Sequence, residues 1–381
     1  MSRLIFAALV PICLLLSPLA QAQIPDSDPH TAGNAALQYW QAFALMPTLD
    51  KEQEELVGKW TTVSLDDPQV MKLVENSRTS LMFLHRGAAM ANCEWGLKYD
   101  DGMGMLMPHM SRARDLARLA ALRGRYEFER GNWKVGRNDA QAIVTLGRHV
   151  GREPVLIARL VGLLIEDLAI DLTAPYLLEH KAPYPQAMAM FEALPPAATL
   201  SQTILVEKKY MCQWAIDTLK KEEKGKAGAG LELWKKFIDG AKDADALAKM
   251  DKFDEILKRM EEVVPVYDEL AGIAALPKAE FDARYPKFRE QAKGANPVVG
   301  LLLPAIDQVL AKDHRHKARF ALLFAAIAVA QDGPAKLKEI KDPYGDGPFE
   351  YKALDKGFEL KSKLLFEGQP VTLVAGAGKK E

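Results

Sequence analysis

Apolar side chains recur every three to four positions along most of this chain, and that spacing commits it to helices that each bury one face against a neighbour. The clearest case begins at Pro108. Leu116, Leu119, Ala120 and Tyr126 share one face there, and Arg112, Arg114, Arg118 and Arg125 are expected to be mostly solvated. Gly131-Asn132 breaks the pattern, and the next helix sets Ala140, Ile143, Leu146 and Val150 on a single stripe before Gly151 stops it. Two such helices joined by a short turn form an antiparallel pair. Gly124, Gly131, Gly136 and Ala140 stand near the small positions of a tetratricopeptide-type unit. No second copy follows at the period of about 34 residues that an array would need, so the pair reads as a generic helical hairpin that is tetratricopeptide-like in this part only.

The same periodicity predicts a helix capped by Thr31 and carrying Ala35, Ala36, Tyr39, Trp40 and Phe43, then one over 50–60, and another opened by Asp66-Asp67-Pro68 and running toward Cys93. Residues 98–107, rich in glycine and methionine, read as a loop. Further helices are expected over 155–178, 184–194, 200–221, 243–276 with an interruption at Pro265, 278–293, and 297–331 with a polar break at 312–317. The fold class is therefore mainly α, an array of antiparallel helix pairs. Residues 221–230, charged and glycine-rich, are the best candidate for a flexible boundary inside a helical domain spanning 23–333. After Gly333-Pro334 the pattern changes to turn formers followed by alternation through Gly357-Phe358-Glu359-Leu360, which predicts a short β-hairpin or meander within 334–374 and a frayed tail over 375–381.

The N-terminus bounds the compartment. Arg3, the apolar run 4–16 and Ala20-Gln21-Ala22 form a secretory signal pattern with cleavage near Ala22, which places the mature chain in a periplasmic or extracellular space. The two other apolar stretches, 155–178 and 318–330, carry charges or are too short for a bilayer and read as core helices, so no transmembrane segment is expected in the mature chain. Fifty Lys and Arg against 51 Asp and Glu leave no basic field for nucleic acid. With 49% hydrophobic and 27% charged residues the chain has ample material for a packed core. Export makes a Cys93–Cys212 disulfide an option, and two separately buried thiols are the alternative.

Cys93-Glu94-Trp95-Gly96, Leu106-Met107-Pro108-His109-Met110-Ser111 with the arginine-rich helix after it, and the Asp-Pro turn with Gly357-Phe358-Glu359-Leu360 together resemble a group of exported, mostly helical proteins of planctomycete-type bacteria. That resemblance implies export and a helical fold and brings no assigned activity. The turn Asp342-Pro343-Tyr344-Gly345 by itself is similar to a hairpin of type II secretion major pseudopilins. The rest of their signature is missing, so only the turn is shared.

Few residues offer chemistry. Glu166, Asp167 and Asp171 lie in an apolar helix where burial would raise their pKa values unless cations compensate, and the arginines between Arg112 and Arg125 are possible partners. They read as structural ion pairs, with a paired-carboxylate hydrolase as the competing use. His109 and Arg112, at the start of a helix beside the methionine-rich loop, form the other candidate polar site, with helix N-terminal amides available to an anion. His314-Arg315-His316 places two histidines two apart, which do not share a helix face, so metal binding is not expected and the stretch reads as a solvated interruption. No common enzyme or cofactor motif occurs, and no cofactor is expected. The expectation is a non-enzymatic exported scaffold that binds a protein or cell-envelope component, with a cell-envelope hydrolase using the 155–178 carboxylates as the alternative.

Overall fold

The computed structural model describes residues 33–153, 155–179, 194–195, 198–239 and 247–376, with backbone alone at 300–305. The signal segment, Thr31, the helix expected over 184–194 and most of the tail lie outside the described residues. The first helices are α1 (Ala35–Ala44), α2 (Lys51–Gly58), α3 (Pro68–Asn76), α4 (Arg78–Ala88), α5 (His109–Glu129), α6 (Trp133–Val150) and α7 (Leu156–Thr173). After them come α8 (Leu200–Glu207), α9 (Trp214–Gly225), α10 (Ala229–Ile238), α11 (Phe253–Glu261), α12 (Val263–Ala274), α13 (Lys278–Ala295) and α14 (Pro297–Asp332). Three strands close the chain: β1 (Glu350–Leu354), β2 (Gly357–Phe366) and β3 (Gln369–Ala375). The molecule is thus mainly helical, with helix pairs packed together and a C-terminal antiparallel sheet in the order β1-β2-β3.

Local chemistry sets the boundaries. Asn34, not Thr31, caps α1: its side chain accepts from Ala36 N–H at 3.0 Å, and it also bonds Glu94 from both sides, tying the helix start to the chain leaving α4. Asp50 and Gln53 form a reciprocal capping box at α2, which ends at Gly58, just short of the expected Trp60. The helix expected from Pro68 toward Cys93 is two, because it breaks at Ser77, whose hydroxyl donates to Leu73 C=O and so turns the backbone. Within the 98–107 loop, Tyr99–Gly104 winds into a tight 3₁₀ turn.

Pro265 does not interrupt a helix. It sits in the first turn of α12, where a missing N–H costs nothing, and the break falls at Glu262. Residues 221–230 form the tip joining α9 to α10. Glu223 accepts from Gly228 N–H and Gly230 N–H at 3.0 Å, and Gly228 takes φ +84°.

Two clusters of buried side chains result. The first gathers α1 to α7, the second half of α14 and the sheet; the second gathers α8 to α13 with the first half of α14. Helix α14 runs unbroken for 36 residues, and the polar break expected at 312–317 does not exist. That stretch contains no glycine or proline, and its charges have partners on α7. The sheet is the meander of the two expected forms, and Phe358, Leu360, Val371, Leu373 and Ala375 are buried in the first cluster, Ala375 as the last residue of β3. The Asp342 side chain holds the bend before it by accepting from Tyr344 N–H, Ser362 hydroxyl and Lys363 N–H.

Cys93 and Cys212 are not paired with each other, so the disulfide held open as an option is not shown. Cys93 packs against the first cluster and Cys212 is buried in the second. Among the described residues no helix is long and apolar enough to cross a membrane.

Candidate functional site

Helices α6 and α7 approach until their backbones touch. A Cβ on Gly162 would lie 2.6 Å from Gly147 O and 2.8 Å from Gly151 Cα, so only glycine fits at this crossing. The contact sets Arg148 of α6 beside Glu166 of α7, with Nε donating to Oε2 at 3.4 Å. On the other side of α7 runs α14, and the charges of these two apolar helices face one another as a buried ionic seam.

His316 lies at its centre, donating from Nδ1 to Asp167 Oδ1 at 2.8 Å and from Nε2 to Glu166 Oε2 at 3.3 Å. Arg319 approaches Asp167 Oδ2 at 2.8 Å and also holds Asp171. Arg315 reaches Asp167 at 3.6 Å. Seven residues upstream of Glu166, Arg159 donates to Asp313 at 2.8 Å, and Lys317 approaches the other Asp313 oxygen at 2.7 Å. Glu166 and Asp313 are each 1% exposed, so these are counterions inside the protein and not surface pairs.

The electrostatics follow from burial and partners. Burial disfavours the His316 cation, but the hydrogen bonds to Asp167 and Glu166 outweigh it and lift its pKa to about 9. Burial alone would raise Asp167 and Asp313, yet His316 and Arg319 hold the first below the usual carboxylate range, and Arg159 and Lys317 do so for the second. Asp171, at the end of the seam, is raised by desolvation that Arg319 offsets only in part.

The sequence-derived candidates thus separate. Glu166, Asp167 and Asp171 belong to one network, as expected for acids between packed helices, but their cations come from α6 and α14, not from the Arg112–Arg125 segment. His109 lies elsewhere, in an aromatic nest of α1, the 95 region and α6. It is fully buried, stacked on Trp95 at 4.4 Å between ring centroids, and neither ring nitrogen has a partner. Desolvation lowers its pKa to about 4. Trp95 stacks in turn on Tyr39 at 5.5 Å, and Tyr39 Oη shares a 2.9 Å hydrogen bond with His149 Nδ1. Arg112 faces a different hollow of about 580 Å³ with Phe43, Met46 and Asp115.

Residues overlooked in the sequence are the cations themselves. The 312–317 stretch was expected to be solvated, whereas Asp313 and His316 are buried and His314 sits half-buried with Nδ1 3.1 Å from Tyr344 Oη. A readable signal existed: α7 carries acids, and α14 carries cations, at helical spacing inside otherwise apolar runs. A second buried set, Asp139 with Arg123 at 2.9 Å and His85 at 2.8 Å, joins α4, α5 and α6 and was also missed. Glu207 is a third: burial pushes it up to about 7, and its carboxylate accepts from Leu156 N–H at the start of α7.

The seam opens to solvent at Asp171 and Arg319, which enter the wall of a cavity of about 1120 Å³ together with Trp60, Arg125, Tyr176 and the β3 segment Thr372–Val374. Glu166, Asp167 and His109 do not line it. No group of acid, histidine and cysteine side chains among the described residues could hold a metal ion. Comparison of the chain with protein-family models, with curated proteins and with solved structures found no match.

Proposed function

We propose that this protein is an exported helical scaffold that binds a protein or cell-envelope component and does not turn over a substrate. The observation that carries this reading is the state of its most catalytic-looking acids: Glu166 and Asp167 are buried, and both are engaged as counterions by His316, with Arg148 and Arg319. An acid in hydrolysis needs a proton to give or a lone pair free for water or substrate, and access for that substrate. Both lack that access: Glu166 and Asp167 are buried and neither lines the cavity. The cavity at the seam's open end offers the scaffold a recessed binding surface instead.

The hydrolase alternative keeps one favourable observation, since Asp171 has a raised pKa and opens onto that cavity. Its companions do not complete an acid pair: Glu129 accepts from Tyr176 at 2.8 Å and Asp66 is almost fully exposed. Glu166→Gln, Asp167→Asn and Asp171→Asn, assayed on peptide, ester and glycoside substrates alongside thermal melting, separate the readings. The first two are expected to melt earlier than the parent and all to be as inert as the parent. A variant that melts like the parent but loses a hydrolysis the parent performs overturns the scaffold.

A further inference from the structure

Six charged side chains enter the wall of the 1120 Å³ cavity and their charges cancel, Arg125, Arg130 and Arg319 against Asp66, Glu129 and Asp171. Each has a neighbour that fixes it. Arg319 holds Asp171, and Arg130 approaches Asp66 at 4.0 Å while lying 3.5 Å over the Tyr126 ring. Tyr176 Oη donates to Glu129 at 2.8 Å, and Arg125 reaches the same hydroxyl while donating to the carbonyls of Trp60 and Val63. Carboxylate acceptors therefore stand beside guanidinium donors at three places along the wall. Thr61, Thr62 and Thr372 add hydroxyls, and β3, which pairs with β2 alone, adds backbone N–H and C=O groups from its other edge.

Such a wall discriminates between classes of ligand. An ion of either sign meets as many like charges as opposite ones and gains no net attraction. An apolar body strips water from six charged groups and returns no hydrogen bond. A neutral peptide strand can pair with β3, but its N–H and C=O groups lie along one line and leave the charged groups of the facing walls unsatisfied. A hydroxyl both donates and accepts, so two neighbouring hydroxyls donate to a carboxylate and accept from the guanidinium beside it. A chain of sugar rings carries such pairs all round its rim. The volume, at or above the top of the roughly 300–1,000 Å³ of most small-molecule sites, leaves room for more than one ring.

We infer that this cavity binds an uncharged oligosaccharide, whose neighbouring hydroxyls bridge Arg125 to Glu129 and Arg319 to Asp171. The inference rests on the binding reading above and names its ligand class. Selectivity comes from the balance of the wall, since a charged substituent on the sugar would face a group of its own sign.

The test screens the full chain on an array of uncharged and acidic oligosaccharides and measures the hits by titration calorimetry. Uncharged oligosaccharides are expected to bind, with an affinity that stays within about twofold between about 50 and 500 mM salt. Glu129→Gln keeps the side chain's shape and its acceptor for Tyr176, so it should melt like the parent and weaken binding about tenfold. Thr372→Trp, at an exposed strand position, should fill the cavity and abolish it. No binding of any uncharged oligosaccharide, binding of acidic ones alone, an affinity that collapses with salt, binding untouched by both variants, or a neutral peptide that displaces the sugar and protects the β3 amides better than it does, each overturns the inference. Loss of sugar binding leaves the scaffold free to hold a protein, so the reading above survives it. Hydrolysis of a bound oligosaccharide does the reverse: it keeps the ligand class and sinks the non-catalytic reading.

Discussion

Two buried histidines in this molecule are kept in opposite charge states by their surroundings. His109 is stacked on Trp95 within an aromatic nest and has no polar partner, so desolvation keeps it neutral. His316 sits between Asp167 and Glu166, and those carboxylates keep it cationic although it is as deeply buried. Burial by itself therefore does not set the role of a polar residue. The neighbours decide whether it behaves as a flat apolar ring or as one ion of a lattice.

The largest test of this contrast removes one counterion. Asp167→Ala leaves His316 and Arg319 without their shared anion and should cost about 3–5 kcal/mol, read as a shift in the denaturation midpoint. Replacing Asp167, Asp171 and Arg319 together with leucine should cost less, because His316 keeps Glu166 as its counterion and no buried charge loses its last partner. A single variant as stable as the triple one would show that the seam is not acting as a set of counterions.

The pH dependence has opposite signs in the two regions. His316 is raised from an ordinary value of about 6.5, so its contribution is fully present below about pH 6.5 and is lost as pH rises through about 9. His109 is lowered, so its neutral ring favours the fold above about pH 6.5, and that contribution is lost as pH falls to about 4, where His149 adds in the same direction. Each limb is worth on the order of 2–3 kcal/mol, so denaturation midpoints against pH should peak between the limbs. In His316→Asn the alkaline fall should disappear while the acid fall stays.

The same substitution placed in both regions sharpens the comparison. His109→Phe keeps the stack on Trp95 and removes two unpartnered nitrogens, so it should be neutral or stabilise by about 1 kcal/mol. His316→Phe should destabilise by several times as much, and equal melting temperatures for the two would erase the distinction. The smallest effect is expected at Arg315→Ala. That side chain is 36% exposed and 3.6 Å from Asp167, so less than about 1 kcal/mol should be lost in urea titration.

Much of the architecture was legible in the residues. The α5–α6 hairpin followed from its stripe and the Gly131 break, and the change to strands after Gly333 followed from turn residues and alternation. The acids of α7 were identified as candidates, and their use as ion-pair partners was the favoured expectation. Their partners were not identified, because α14 follows α7 by more than a hundred residues and nothing local says that Asp313, His316 and Arg319 turn toward it. Read locally, that polar stretch looks like a break; packed against α7, it joins the part of α14 in the second cluster to the part in the first. The same limit applies to His109, whose only neighbour that matters is Trp95 across a loop.

Sequence alone determined most of the secondary structure, since apolar period, caps and turn residues act over a few positions and carry their information locally. Tertiary structure decided which charges meet, which histidine stays neutral, and which edge of the sheet borders a cavity. Those outcomes depend on helices and strands distant in the chain coming within a few ångströms, where the dielectric and the neighbours change the energy of every polar group.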